Sequence, residues 1–299
     1  MARYINPATD FGFKRIFKDE EITRGFLNAL LKSEDPTVNI TKVSITDGEA
    51  DDSSKDIRRV VYDVHCTTDT GEEFVIEMQN EAQDFFAERI VYYLARAASR
   101  QQGKGQIKSL DKDGKPLFKE WDYHLKNIYG VFFMNFKDAK HPAPLSHFAF
   151  METKEKYRDT DVFQYWKIQM PFYRQMKESD CKTDVDKWIY NLSNMENMEK
   201  ELSFTNEIPL FMRLEKIATY SALSPKQQMQ YDDSFHNYVS YQGQMDFKYK
   251  EGKAEGKAEG IAQRNKEIAK EMKNNGMSEE VISVVMKLTV EEVKRLLAE

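Results

Sequence analysis

Two carboxylates and an amide, Asp63, Glu77 and Gln79, lie where a short β-hairpin would gather them on one face. The stretch YDVHCTTDTGEEFVIEMQ, residues 62–79, contains a three-residue loop, Asp69-Thr70-Gly71, in which glycine supplies the left-handed position. That loop pairs Thr68 with Glu72, and counting outward sets Asp63 opposite Glu77. Opposed residues share a face with their Cβ atoms about 4.5–5.5 Å apart, and Gln79, two residues beyond Glu77, joins them. The other face receives Tyr62, Val64 and Cys66 from one strand and Phe74, Ile76 and Met78 from its partner. Acids this close repel each other unless a cation sits between them or one takes a proton. Mg²⁺ or Mn²⁺ suits such hard oxygen ligands, and the backbone carbonyl between Glu77 and Gln79, that of Met78, could supply another. The ion would polarise a phosphate and activate a bound water. Spacing alone leaves a plainer alternative open, a solvated sheet face with outward acids.

The surrounding chain has to position this hairpin. Asp10 is expected to cap a helix carrying Phe13, Ile16, Phe17, Phe26, Leu27, Leu30 and Leu31, broken near residues 18–21 and closed by Pro36. Val38 to Ile45 reads as a strand, residues 47–55 as a polar loop, and Arg59 to Thr67 and Glu73 to Gln79 as two further strands. Phe85 to Gln102 reads as an amphipathic helix with Arg89, Tyr93, Arg96 and Arg100 along one side. That stripe suits phosphate contact beside a metal, and equally a solvated or acid-paired face. Residues 108–119 read as a loop, Ile128 to Phe136 as a buried central strand, and His147 to Glu152 as another. From Val162 to about Ser240 the pattern turns helical, with Phe163, Trp166, Met170 and Tyr173 forming a core stripe.

Three separated stretches, TDFGFKRIF, YDVHCTTDTGEEFVIEMQ and ERIVYYLARAASRQQGKG, resemble in order the PD-(D/E)xK nuclease family transposases, over roughly the first half of the chain. The resemblance implies an α/β, restriction-endonuclease-like mixed sheet flanked by helices, here with a helical C-terminal extension. It implies metal-dependent cleavage of DNA, in recombination or transposition. The family's catalytic positions fall on Asp63, Glu77 and Gln79, and its helix positions on Arg89, Tyr93 and Gln101. Gln79 stands where the wider superfamily carries lysine; it can orient water or donate to a phosphate but cannot carry charge. Lys14 is a candidate for that charge, and Asp10 for an accessory acid.

With 40% hydrophobic and 31% charged residues, the 299-residue chain reads as globular, and no apolar run reaches the roughly 18 residues of a membrane span. Two cysteines and a polar N-terminus point to a reducing, cytoplasmic location. A net charge of −6 argues against coating nucleic acid by bulk charge, while allowing a local basic face. The expected organisation is a nuclease-like core over residues 1–155, a helical extension over 156–245, a glycine-repeat helical linker over 246–275 and a small helix pair over 276–299. In that linker, EGKAEGKAEG spaces Gly252, Gly256 and Gly260 by four, which makes the helix marginal unless it packs closely. Asn275-Gly276 should end it, Ser278 should cap the next helix, and Thr289 with Glu292 should form a capping box for the last. Val281, Ile282, Val285, Val293, Leu296 and Leu297 would then pack the helix pair, and this tail could join a second copy. Two rivals to a nuclease remain open at this level. One is a non-catalytic binding or assembly module; the other places DNA binding in the terminal helices.

Overall fold

The computed structural model describes residues 3–46, 62–101, 107–110, 112–118 and 124–298. The expected 47–55 loop and the first residues of the expected 59–67 strand lie outside them. Six strands form one mixed sheet in the order β1-β2-β3-β6-β8-β7. They are β1 Val43–Thr46, β2 Val64–Thr68, β3 Glu73–Gln79, β6 Ile128–Met134, β7 Leu145–Ala149 and β8 Phe163–Gln169. β1, β2 and β3 run antiparallel in sequence, β3, β6 and β8 run parallel, and β7 closes one edge antiparallel to β8. A second sheet of two strands, β4 Ile107–Leu110 and β5 Pro116–Phe118, occupies the segment expected to be a loop. Its turn holds Gly114 at φ +78, so the Asp-Gly pair there closes a hairpin.

Helices cover both faces of the main sheet. Val64, Cys66, Phe74, Ile76, Val131, Phe133, Trp166 and Ile168 pack into the larger core with α1 Asp10–Phe17 and α2 Glu20–Lys32. The same core takes in α4 Met170–Gln175, α5 Asp184–Asn194, α6 Pro209–Ala218 and the start of α7 Pro225–Asn274. On the opposite face Val75, Ile128 and Phe132 pack against Ile90, Leu94 and Ala97 of α3 Phe86–Gln101. Burying these apolar side chains is the main favourable term holding the layers together. A cluster of rings seats α1: Phe133 lies 5.6 Å from Phe13, 5.4 Å from Phe17 and 5.4 Å from Phe26, centroid to centroid.

Several expectations need correction. Thr9, not Asp10, caps α1, its hydroxyl accepting from the Gly12 N–H at 3.0 Å. Asp10 is the first helical residue instead. The strand expected from Val38 begins only at Val43, because the Asn28 side chain binds both the N–H and the carbonyl of Ile40, at 2.8 and 2.9 Å. Residues 163–169 are a central strand, not a helix. Both faces of β8 are covered, Trp166 and Ile168 by one core and Phe163 and Tyr165 by the other. Apolar residues on both sides hide the two-residue period, and Phe163 and Trp166 then mimic helical spacing. Pro171, in the first turn of α4, marks where helix begins.

The chain divides into two compact units, Met1–Phe235 and His236–Glu299. In the second, Ala269 of α7, Ile282 of α8 Glu279–Met286 and Val293 of α9 Val290–Ala298 form a small core with Leu296 and Leu297. Val281 and Val285, expected there, are exposed. Gly276 has φ +84, Ser278 accepts from the Val281 N–H, and Thr289 and Glu292 make the reciprocal capping pair. The glycine repeat is helical along its length. No helix of the described residues is long and apolar enough to cross a membrane.

Candidate active site

The hairpin register is the one that spacing predicts. Val64 pairs with Ile76 and Thr67 with Glu73, the Thr68 N–H donates to the Glu72 carbonyl, and Gly71 takes φ +93 at the turn. Continuing that register sets Asp63 opposite Glu77, although β2 itself begins only at Val64. Where the ladder stops, the acids take over its bonds. The Met78 N–H donates to Asp63 Oδ2 at 2.9 Å, and the Asp63 N–H donates to Glu77 Oε1 at 3.1 Å. Each carboxylate is thus held by the backbone of the opposite strand.

The early end of the ladder also moves Tyr62. It does not join Val64 and Cys66 in the larger core but packs with Val75, Ile90 and Leu94 under α3. Its hydroxyl donates to the Tyr93 carbonyl at 3.1 Å and receives Arg100 Nη2 at 3.3 Å. The polar face of the hairpin is therefore no solvated surface: α3 covers it, leaving Glu77 only 2% and Gln79 only 6% exposed, with Asp63 half-buried. His65 on this face is a strand residue tied at both ring nitrogens, to Glu73 at 3.0 Å and to Thr46 at 2.5 Å.

Gln79 bridges two groups. Its amide donates to Glu77 Oε2 at 3.3 Å, and its carbonyl oxygen accepts from Arg89 Nη1 at 3.3 Å. Arg89 also donates to Gln83 Oε1 at 2.7 Å and to Tyr93 Oη at 3.1 Å. The first turns of α3 thereby bring Arg89 and Tyr93 to the acids. Gln101 is not brought there. It lies twelve residues after Arg89, roughly 18 Å along the helix, and its side chain clasps the backbone N–H and carbonyl of Lys126. Of the expected basic stripe, Arg89 faces the acids, while Arg100 stacks on and bonds Tyr62.

Lys14 comes from the other side, on the first helix. It pairs with Asp10 at 2.6 Å. Burial alone would lower its pKa, but the hydrogen bond to Asp10 and the negative charges of Asp10, Asp63 and Glu77 outweigh that and raise it. Asn80, which the sequence reading passed over, ties this helix to the hairpin. Its amide donates to the Ala8 carbonyl at 2.8 Å and its oxygen accepts from Asn135 at 3.1 Å. The signal available was a polar residue directly after Gln79 at the end of a strand.

Electrostatics sets this pair of acids apart from ordinary surface carboxylates. Burial pushes Asp63 above the usual range, against the pull of the Met78 N–H bond and the Lys14 charge. Burial, and then the charge of Asp63, pushes Glu77 up to about 8. Both shifts express the cost of holding two negative charges out of water, a cost that a bound cation removes. Among the described residues no group of three or more His, Cys, Asp or Glu side chains is placed to hold a metal. Here two carboxylates would need main-chain oxygen to complete the donor set. The Met78 carbonyl suits this, since successive strand residues bond to opposite sides. Gln79 uses its carbonyl toward β6, accepting from Asn135 at 2.8 Å, and Met78 turns its polar groups toward Asp63.

The sequence model of the family described as PD-(D/E)XK nuclease family transposase matches residues 7–246. No curated protein and no solved structure matches the chain significantly. The matched span contains the whole main sheet, α1 to α6, the acids of the hairpin and the early turns of α7.

Proposed function

The chain belongs to the PD-(D/E)XK nuclease family transposases, and from that premise we propose that it is a metal-dependent DNA endonuclease acting in recombination or transposition. The observation that carries this reading is the acid pair itself, Glu77 buried and Asp63 half-buried, each anchored by the other strand's backbone where burial raises both pKa values. A surface pair would have water to screen it. This one needs either a proton or a cation, and its donors are the hard oxygens that divalent cations prefer.

Asp63, Glu77 and the Met78 carbonyl would hold Mg²⁺ or Mn²⁺ in this reading. When bound, such an ion supplies Lewis-acid polarisation of the scissile phosphate and a more acidic water. Gln79 keeps Glu77 in one orientation by its amide while fixing Arg89 by its oxygen. Arg89, braced by Gln83 and Tyr93, presents a planar cation that can clamp a non-bridging phosphate oxygen. Lys14 offsets negative charge from the opposite side, and Asp10 holds its ammonium in place. The positive charge that glutamine cannot supply at position 79 thus comes from Arg89 and Lys14.

The test is nicking of supercoiled plasmid with Mg²⁺ or Mn²⁺. Wild type should nick, and folded Asp63→Ala and Glu77→Ala variants should lose at least roughly a hundredfold in rate, the scale of removing a main electrostatic contributor. Nicking that survives both substitutions would place the chemistry elsewhere, and a wild type that never nicks would favour a binding module.

A further inference from the structure

An open groove of about 660 Å³ runs between α1, the helix that carries Lys14, and the first turns of α7. Phe11, Lys14, Arg15 and Lys18 line it from α1, at the spacing of one helix face. Gln227, Gln230 and Ser234 line it from α7, again at three- and four-residue spacing. We propose that this groove carries the DNA strand flanking the scissile phosphate, with Arg15 and Lys18 as its phosphate contacts. The proposal rests on the nuclease reading and extends it to the substrate path.

The charge balance in the groove supports a polyanion. Four cations and two acids stand in or beside it, but they are not equivalent. Asp10 is taken by Lys14 at 2.6 Å, and Asp19 is gripped by both prongs of Arg213 at 2.7–3.1 Å. Arg15 and Lys18 form no ion pair among the described residues. Arg15 is pre-positioned, since its Nε donates to the Ile217 carbonyl at 2.9 Å and leaves the outer guanidinium nitrogens for a ligand. Lys18 is exposed at the end of α1. Two cations in one groove with no ion-pair partner among the described residues stand out in a chain with net charge −6. The amides opposite can donate to phosphate or sugar oxygens, as neutral contacts along a backbone commonly do.

Lys14 links the groove to the acids, since it lines the groove and lies within electrostatic range of Asp63 and Glu77. Its walls are firm. Tyr231 of α7 receives the Asn6 N–H at 2.9 Å, and Ser234 receives the Phe11 N–H at 3.1 Å. The early turns of α7 are thereby fixed to the segment that leads into α1, and a strand leaving the acids would meet a rigid basic channel.

Binding can be separated from cleavage in a Glu77→Gln background, titrated with labelled duplex DNA in Mg²⁺ across a range of salt. Lys18→Glu should weaken binding about tenfold and reduce the slope of log K against log salt by about one. Gln230→Glu, on the opposite wall, should weaken it in the same direction. Lys154→Glu, in the loop at the other end of the sheet, should change neither quantity. Unchanged affinity and slope in folded Lys18→Glu and Gln230→Glu proteins would overturn the groove while leaving plasmid nicking to stand. Lys18-dependent binding by a wild type that never nicks would leave the groove and overturn the nuclease. No binding at all in the Glu77→Gln background would overturn the groove directly.

Discussion

At the scale of single residues, the raised pKa of Glu77 has a consequence for stability. Below about pH 4.5 the carboxyl is protonated in both folded and unfolded chains and contributes no penalty. Between there and about pH 8 the unfolded chain releases the proton while the folded one retains it, so the folded state binds more protons. The contribution of Glu77 to stability then falls as pH rises through that window, by up to about 1.4 kcal/mol per pH unit. Thermal melting of metal-free protein should show this decline between pH 5 and 8. Glu77→Gln should flatten it, and Mg²⁺ or Mn²⁺ should reverse it at the upper end by replacing the proton. A melting temperature independent of both pH and Glu77 would show that the acid is better solvated than its 2% exposure implies.

At the scale of elements, the site depends on where α1 begins. A Cβ on Gly12 would fall 2.2 Å from the Asn6 carbonyl oxygen and 2.7 Å from Thr9 Oγ1. Those two atoms build the turn that caps the helix, the Asn6 carbonyl accepting from the Thr9 hydroxyl at 2.8 Å and from its N–H at 3.2 Å. Gly12→Ala should therefore cost more than about 2 kcal/mol, the range for overpacking a closed site. It should also slow nicking, since Asp10 and Lys14 ride on the same turn. The glycines at 252, 256 and 260 provide the contrast, for an added Cβ there meets nothing within 4 Å. Replacing each with alanine should raise helix stability by up to about 1 kcal/mol. Chemical denaturation followed by circular dichroism would check both directions; a neutral Gly12→Ala would mean the cap can relax.

At the scale of the whole molecule, the family match ends at residue 246, and the first compact unit ends at Phe235 with the acids and the groove inside it. A chain cut after residue 246 is expected to keep full plasmid nicking and DNA affinity, measured against the intact protein. Loss of DNA binding with the fold of the remainder intact would assign that role to the terminal helices instead. The second unit has its own small core of Ala269, Ile282 and Val293, with Val281, Val284 and Val285 left exposed. This is why the helix pair could be read from its caps, while the side of α8 that packs could not.

The hairpin was determined by local sequence. Gly71 allows only a few loop geometries, the loop sets the register, and the register alone makes Asp63 and Glu77 neighbours. The same holds for the break between α1 and α2 and for the three caps of the terminal helices, because those bonds close within a few residues. Burial of the acids was decided by tertiary structure. The alternation around Glu77 reads equally as a wet face, and only α3 crossing over it turns a pair of surface carboxylates into one whose charge must be offset by a proton or a cation. Long-range contact also made residues 163–169 a strand, since apolar residues on both faces erase the period that would reveal it. It separated Arg89 from Gln101, which share a helix but not an end, and it set Lys14 within electrostatic range of the acids, with the bond from Asn80 to the Ala8 carbonyl tying the segment before α1 to the end of the hairpin. Local hydrogen bonds and turn geometry are encoded residue by residue; the dielectric around a charge depends on everything packed against it.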